Sequence, residues 1–115
     1  MKTNDLRNIM TTAWGFFRTT GQNFSACLRQ AWANFRLVRL MHRGIVRFYY
    51  RKVDGSIREA WGTLRGDLIP ATSGKDIRRR NDTIQAYYDT ERAAWRCFKK
   101  LNLSSVEVFT PAKRL

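Results

Sequence analysis

The chain has 115 residues, enough for one domain with a real core, and its 43% hydrophobic and 13% aromatic content excludes a disordered polymer. Lys and Arg number 22 against 9 acidic residues, a net charge of +13. A compact state with that charge repels itself, so the composition calls for an anionic partner. Arg outnumbers Lys, and its planar fork suits phosphate and stacking, which points to nucleic acid.

Two cysteines 70 positions apart, with no CxxC pair and a single histidine, exclude an ordinary zinc site and argue against a disulfide framework. No metal and no cofactor are expected. Cys27 and Cys97 read as small buried apolar residues of a reducing compartment. The segment MKTNDLRNIMTT has no apolar core of an export signal, and no run is long enough to span a bilayer. The expectation is a cytoplasmic protein with no membrane partner.

Residues 1–44 read as a helical hairpin. Leu6, Ile9, Met10, Ala13, Trp14 and Phe17 recur at three- and four-residue steps, with Thr3 or Asn4 as cap, Asp5 at the positive end and Gly21 as stop. A second stripe holds Phe24, Leu28, Ala31, Trp32, Phe35 and Val38, with Ser25 as cap and Gly44 as terminator. A helix-turn-helix reader would need a polar recognition helix, and the second helix is apolar on one face and only modestly basic on the other.

Residues 45–110 read as a small barrel of antiparallel strands, with a long basic loop at 65–82 and a basic tail at 111–115. Ile45–Val53 and Ser56–Leu64 alternate in the strand pattern around Asp54-Gly55, a strong turn signal. A two-residue turn would set Arg51 opposite Arg58. A three-residue loop instead pairs Tyr49 with Glu59 and Arg47 with Trp61, and gathers Val46, Phe48 and Tyr50 on one face with Ala60, Gly62 and Leu64. The second register is preferred, because like charges opposite one another destabilise a pair. The loop carries Arg78, Arg79 and Arg80, suited to phosphate contact. Further strands are expected at 83–88, 93–101 and 105–109. The fold class is α+β, a helical hairpin followed by a five-stranded antiparallel SH3/Sm-like barrel.

Each tryptophan is the second residue of a similar hexapeptide: AWGFFR, AWANFR, AWGTLR and AWRCFK. Two copies fall on expected helices and two on expected strands, so the recurrence reads as coincidence.

The stretches FYYRKVDGSIREAWGTL (Phe48 to Leu64) and QAYYDTERAAWRCFKKLNL (Gln85 to Leu103) resemble the WYL-like group of Sm-like, SH3-type barrels. The sheet half looks especially like the short stand-alone members found in phages and mobile elements of gut bacteria. The likeness extends to the helical stretches TAWGFFR and SACLRQAWANFRLV. It implies a barrel that binds nucleic acid or nucleotide-like ligands. The arginine and phenylalanine of the family's R-x-F strand fall on Arg96 and Phe98, and a second-strand arginine falls on Arg58. Two positions depart from the pattern: Thr83 to Ala86 stand where the Trp-Tyr-Leu tripeptide is expected, and Asn102 replaces an arginine.

No residue set has the pattern of a catalytic site. The lone His42 sits among cations with no nucleophile beside it, and Asp67, Asp76 and Asp82 are isolated in one basic loop. The expected function is therefore non-enzymatic binding of single-stranded DNA or RNA with weak sequence specificity, in an accessory role. Its expected contacts are Arg47, Tyr49, Arg51, Arg58, the arginines at 78–80, Tyr87, Arg96, Lys99 and Lys100, with Tyr49 and Tyr87 as stacking platforms. The competing expectation is a protein-interaction module that docks an acidic protein or a second copy through Trp14, Phe16, Phe17, Trp32 and Phe35. Phe16 is its sharpest clue, because it lies off the main stripe.

Overall fold

The computed structural model describes residues 2–69 and 83–111, with side chains as far as 106. Helices α1 (Thr3–Thr20) and α2 (Phe24–Met41) precede strands β1 (Gly44–Arg51), β2 (Ile57–Thr63), β3 (Ile84–Asp89), β4 (Ala94–Lys99) and β5 (Leu103–Pro111). Short 3-10 turns occupy Gly66–Leu68 and Lys100–Asn102. The strands form one antiparallel sheet in the order β4-β3-β2-β1-β5. This is the expected α+β arrangement. Among the described residues no helix is long and apolar enough to cross a membrane. The chain divides into two compact units, one ending at Arg36 and the other beginning at Leu37.

In the first unit the helix ends follow local chemistry. The Asp5 carboxylate accepts the Lys2 N–H at 3.2 Å, and no side chain of Thr3 or Asn4 caps α1. Gly21 ends it at φ +74, donating its N–H to the Phe17 carbonyl. The cap of α2 is Asn23 rather than Ser25, its Oδ1 accepting the Ala26 N–H at 2.8 Å. The helices meet through Ile9, Ala13 and Phe16 of α1 and Cys27 and Ala31 of α2, all buried. The inward side of α1 is thus turned from the expected one. Phe16 is core, while Trp14 and Phe17 are exposed. Small residues at Ala13 and Ala31 let the backbones approach, and the ring at 16 closes that contact. Trp32 and Phe35 are partly buried beside it.

In the second unit α2 ends at Met41, so Gly44 opens β1 instead of terminating the helix. The Thr63 hydroxyl shares its proton between the carbonyls of Met41 and Gly44, at 3.1 and 2.8 Å, and the Leu64 N–H reaches Met41 at 2.9 Å. Those bonds tie the helix end to the end of β2. Hairpin β1–β2 adopts the preferred register: Tyr49 pairs with Glu59, Arg47 with Trp61 and Arg51 with Ile57. The Gly55 N–H donates to Lys52, the Lys52 N–H donates to Ser56, and Gly55 sits at φ +94. Val53, Asp54 and Gly55 therefore form the three-residue loop with glycine in the left-handed position.

Alternation then sends Val46, Phe48, Tyr50 and Ala60 inward. Phe48, Tyr50, Tyr87 and Phe98 form one aromatic cluster with ring centroids 5.0–6.2 Å apart. The hydroxyls of Tyr50 and Tyr87 bond each other at 3.0 Å inside it. Burial, then the bond to Tyr50, pushes the Tyr87 pKa well above its ordinary value. The folded state thus keeps a proton that the unfolded chain releases near pH ~10, so stability falls as pH rises above that value. Tyr87→Phe should cost about 1–2 kcal/mol at neutral pH by orphaning the Tyr50 hydroxyl, and should flatten this alkaline decline. Urea titrations at neutral and alkaline pH check both.

Strand β4 ends at Lys99, where a 3-10 turn interrupts the expected longer run, and β5 begins earlier and ends later than expected. Cys27 is buried but Cys97 is exposed, since its strand position faces outward beside Ala86. Between β3 and β4 the Asp89 carboxylate accepts the N–H groups of Glu91 and Arg92. Ala93 closes that turn at φ +51, a conformation costly for a residue with a Cβ. Ala93→Gly should therefore stabilise the protein by about 0.5 kcal/mol after the added chain entropy, read as a higher denaturation midpoint.

Candidate nucleic-acid interface

The outward side of β1 does carry Arg47, Tyr49 and Arg51, but much of it is engaged within the protein. Arg47 Nη1 lies 3.3 Å from Glu59 Oε2, and the Tyr49 hydroxyl donates to the same oxygen at 3.1 Å. The Arg47 guanidinium also lies 5.5 Å from the Trp61 ring and 5.9 Å from that of Tyr49. The acid opposite Tyr49 in the register offsets the charge of this face.

Two expected contacts move. Arg58 pairs with Tyr50, so it lies on the opposite side of the sheet from Arg47, Tyr49 and Arg51. Tyr87 is fully buried in the aromatic cluster and is no stacking platform for a base. Its strand pairs directly with β4, and the parity of that pairing turns the ring inward.

The concave site lies elsewhere, where the β1–β2 loop approaches β4 and the turn that follows it. It is a cavity of about 550 Å³. Arg51, Lys52, Arg58, Arg96 and Lys99 bring five cations to its lining, with Asn102 beside them. Tyr50 and Phe98 supply an aromatic floor. Arg96 is positioned by Asp89, whose nearly buried Oδ2 lies 3.5 Å from its Nε. Arg51 is held over the loop by a bond from Nη1 to the Gly55 carbonyl at 3.2 Å.

Among the described residues the one carboxylate on the lining is Asp54. Its Oδ1 accepts the Ser56 hydroxyl at 2.6 Å and the Ser56 N–H at 3.0 Å, and these bonds hold its pKa below the usual carboxylate value. That acid is committed to the loop. The cavity therefore concentrates positive potential in a concave, partly apolar space, where attraction for an anion is strongest.

Of the expected residues, Arg51, Arg58, Arg96 and Lys99 come together here. Lys100 is off the lining, and its backbone N–H donates to Thr83. Arg78, Arg79 and Arg80 lie outside the described residues. Lys52 and Tyr50 are additions. The three-residue loop was the available signal for Lys52, because that register sets it at the hairpin tip beside Arg51. Among the described residues no group of His, Cys, Asp and Glu could hold a metal ion.

A family model described as WYL_2, Sm-like SH3 beta-barrel fold, matches residues 29–104. No curated protein and no solved structure gives a significant match. Arg58, Arg96, Phe98 and Asn102, which the resemblance sets at motif positions, all line the cavity.

Proposed function

Because the chain belongs to the WYL_2 family of Sm-like SH3 β-barrels, we propose that it uses the barrel's basic cavity to bind single-stranded nucleic acid without catalysing a reaction. One observation carries this reading: among the described residues, five cations and a single committed carboxylate line a cavity of about 550 Å³ with an aromatic floor. That volume suits one nucleotide-sized group, with the phosphates of flanking nucleotides reaching the cations around it. An unpaired strand can place a nucleotide in it, while a duplex keeps its bases stacked and offers only backbone. Phosphate is met by Arg51, Arg58 and Lys99, and Arg96, fixed by Asp89, gives the site one preset cation. Contacts of this kind read charge and shape, so sequence preference is weak. A fold alone does not imply the activity, which rests on these side chains.

The test is a titration of labelled single-stranded DNA, single-stranded RNA and duplex at two salt concentrations. Single strands should bind more tightly than duplex. With four or five phosphates neutralised, affinity should fall roughly a hundredfold between about 50 and 200 mM salt. Absence of binding at the lower salt would sink the proposal.

A further inference from the structure

The helical unit presents an exposed apolar stripe on α1, beside partly buried apolar residues of α2. Within it α1 and α2 repeat one another at an interval of 18 positions. Ala13 and Ala31 are both buried at the helix contact, as are Ile9 and Cys27, the pair one turn before them. Trp14 meets Phe17 edge to face at 5.6 Å and 88°, and Trp32 meets Phe35 the same way at 6.1 Å and 88°. The two helical copies of the AW hexapeptide are thus equivalent positions, although the strand copies are not.

Beside this contact each helix carries a second apolar stripe. On α1 it is Leu6, Met10, Trp14 and Phe17, exposed at 47%, 41%, 45% and 38%. These residues follow one side of the helix for about 16 Å. Their equivalents on α2 are Phe24, Leu28, Trp32 and Phe35, which are partly buried and pack against the core of the helix pair. The stripes adjoin, since the rings of Trp14 and Phe24 lie 4.4 Å apart. In an antiparallel pair built from one repeat, equivalent arcs look to the same side. The result is a seam between two helices, with an exposed apolar bank on α1 and a partly buried one on α2, of the kind that a third helix fills in a bundle.

The surroundings of the seam say what fits it. From Lys2 to Arg36 the cations are Lys2, Arg7, Arg18, Arg29 and Arg36, and the only acid is Asp5. Arg7, Arg18, Arg29 and Arg36 are exposed, and the Asp5 carboxylate already accepts the Lys2 N–H. A second copy would bring one arginine rim against another. We propose that this face docks an amphipathic helix of a partner protein, apolar along one stripe and acidic on both flanks. Its apolar side chains fill the seam, and its carboxylates meet the arginines through charge-assisted bonds. The surface lies in a different unit from the basic cavity and takes a different class of partner.

The experiment uses the full chain and three labelled helical peptides the length of α1. One has a leucine stripe flanked by glutamates, one has the same stripe flanked by lysines, and one keeps the acidic composition with the stripe scrambled. Fluorescence anisotropy should show the first binding roughly tenfold or more tightly than either other. Met10→Glu and Leu6→Glu replace exposed side chains, so circular dichroism and oligonucleotide titration should be unchanged while the first peptide loses roughly tenfold in affinity. Equal binding of the scrambled peptide, or undiminished binding by both variants, would overturn the proposal. So would a concentration-dependent dimer in sedimentation, or retention on phosphatidylglycerol vesicles, that Met10→Glu abolishes, since the face would then belong to a second copy or to lipid.

Discussion

Gly62→Ala is expected to destabilise the barrel by about 2–3 kcal/mol, a large part of the stability of a domain this size. A Cβ at that position would lie 2.6 Å from Tyr87 Cδ2, 3.0 Å from Phe48 Cε1 and 3.2 Å from Tyr87 Cγ. None of these atoms is the free end of a flexible chain. Tyr87 and Phe48 are each fully buried, and Tyr87 is held further by its hydroxyl bond to Tyr50. The ring cannot swing aside without disturbing Phe98 as well, 6.0 Å away by centroid. Gly62 is also where β2 pairs with both neighbours, Val46 of β1 and Asp89 of β3. Added bulk there strains the joint between the two hairpins. Urea denaturation should show a lower midpoint with an unchanged slope. A smaller side chain at 87 should relieve the clash, so Gly62→Ala with Tyr87→Leu should cost less than the sum of the single changes. Additive costs would mean that the contact with Tyr87 is not the cause.

That glycine also shows what the chain makes legible and what it conceals. Near neighbours were readable: the β1–β2 register follows from the repulsion that a shorter loop would create between Arg51 and Arg58, and the structure has the longer loop. Phe16 was not readable, because α1 carries two apolar stripes of the same helical period. Which one is buried depends on the small residues Ala13 and Ala31 meeting across the helix pair, a tertiary fact. Tyr87 failed for a similar reason. An aromatic in an alternating strand faces in or out according to a one-residue parity, and the parity of β3 is fixed by pairing with β4 rather than by its own pattern. The cavity gathers residues from 50 to 58 and from 84 to 102, which only the sheet order brings together. The resemblance to WYL-like barrels set Arg58, Arg96 and Phe98 at motif positions, and all three line the cavity.

The charge of that cavity yields the second large effect. Replacing Arg51, Arg58 and Lys99 together by glutamine should weaken binding of a single strand by about a hundredfold near 0.1 M salt. Each cation that neutralises a phosphate releases counterions, contributing roughly 0.7 to the slope of log affinity against log salt for a single strand. Losing three should flatten that slope by about 2 and leave affinity near 1 M salt almost unchanged. These side chains suit the experiment because Arg51 and Lys99 are exposed and Arg58 is half-buried, so the fold should survive their neutralisation. Arg96 is left in place, since removing it would leave the nearly buried Asp89 without its cation. The comparison is Arg47→Gln. Its charge is already offset by Glu59, so that variant should bind within about twofold of the native protein. A triple variant with native slope would place the strand on another surface, whereas a flattened slope with an unaffected Arg47→Gln locates the phosphates in the cavity.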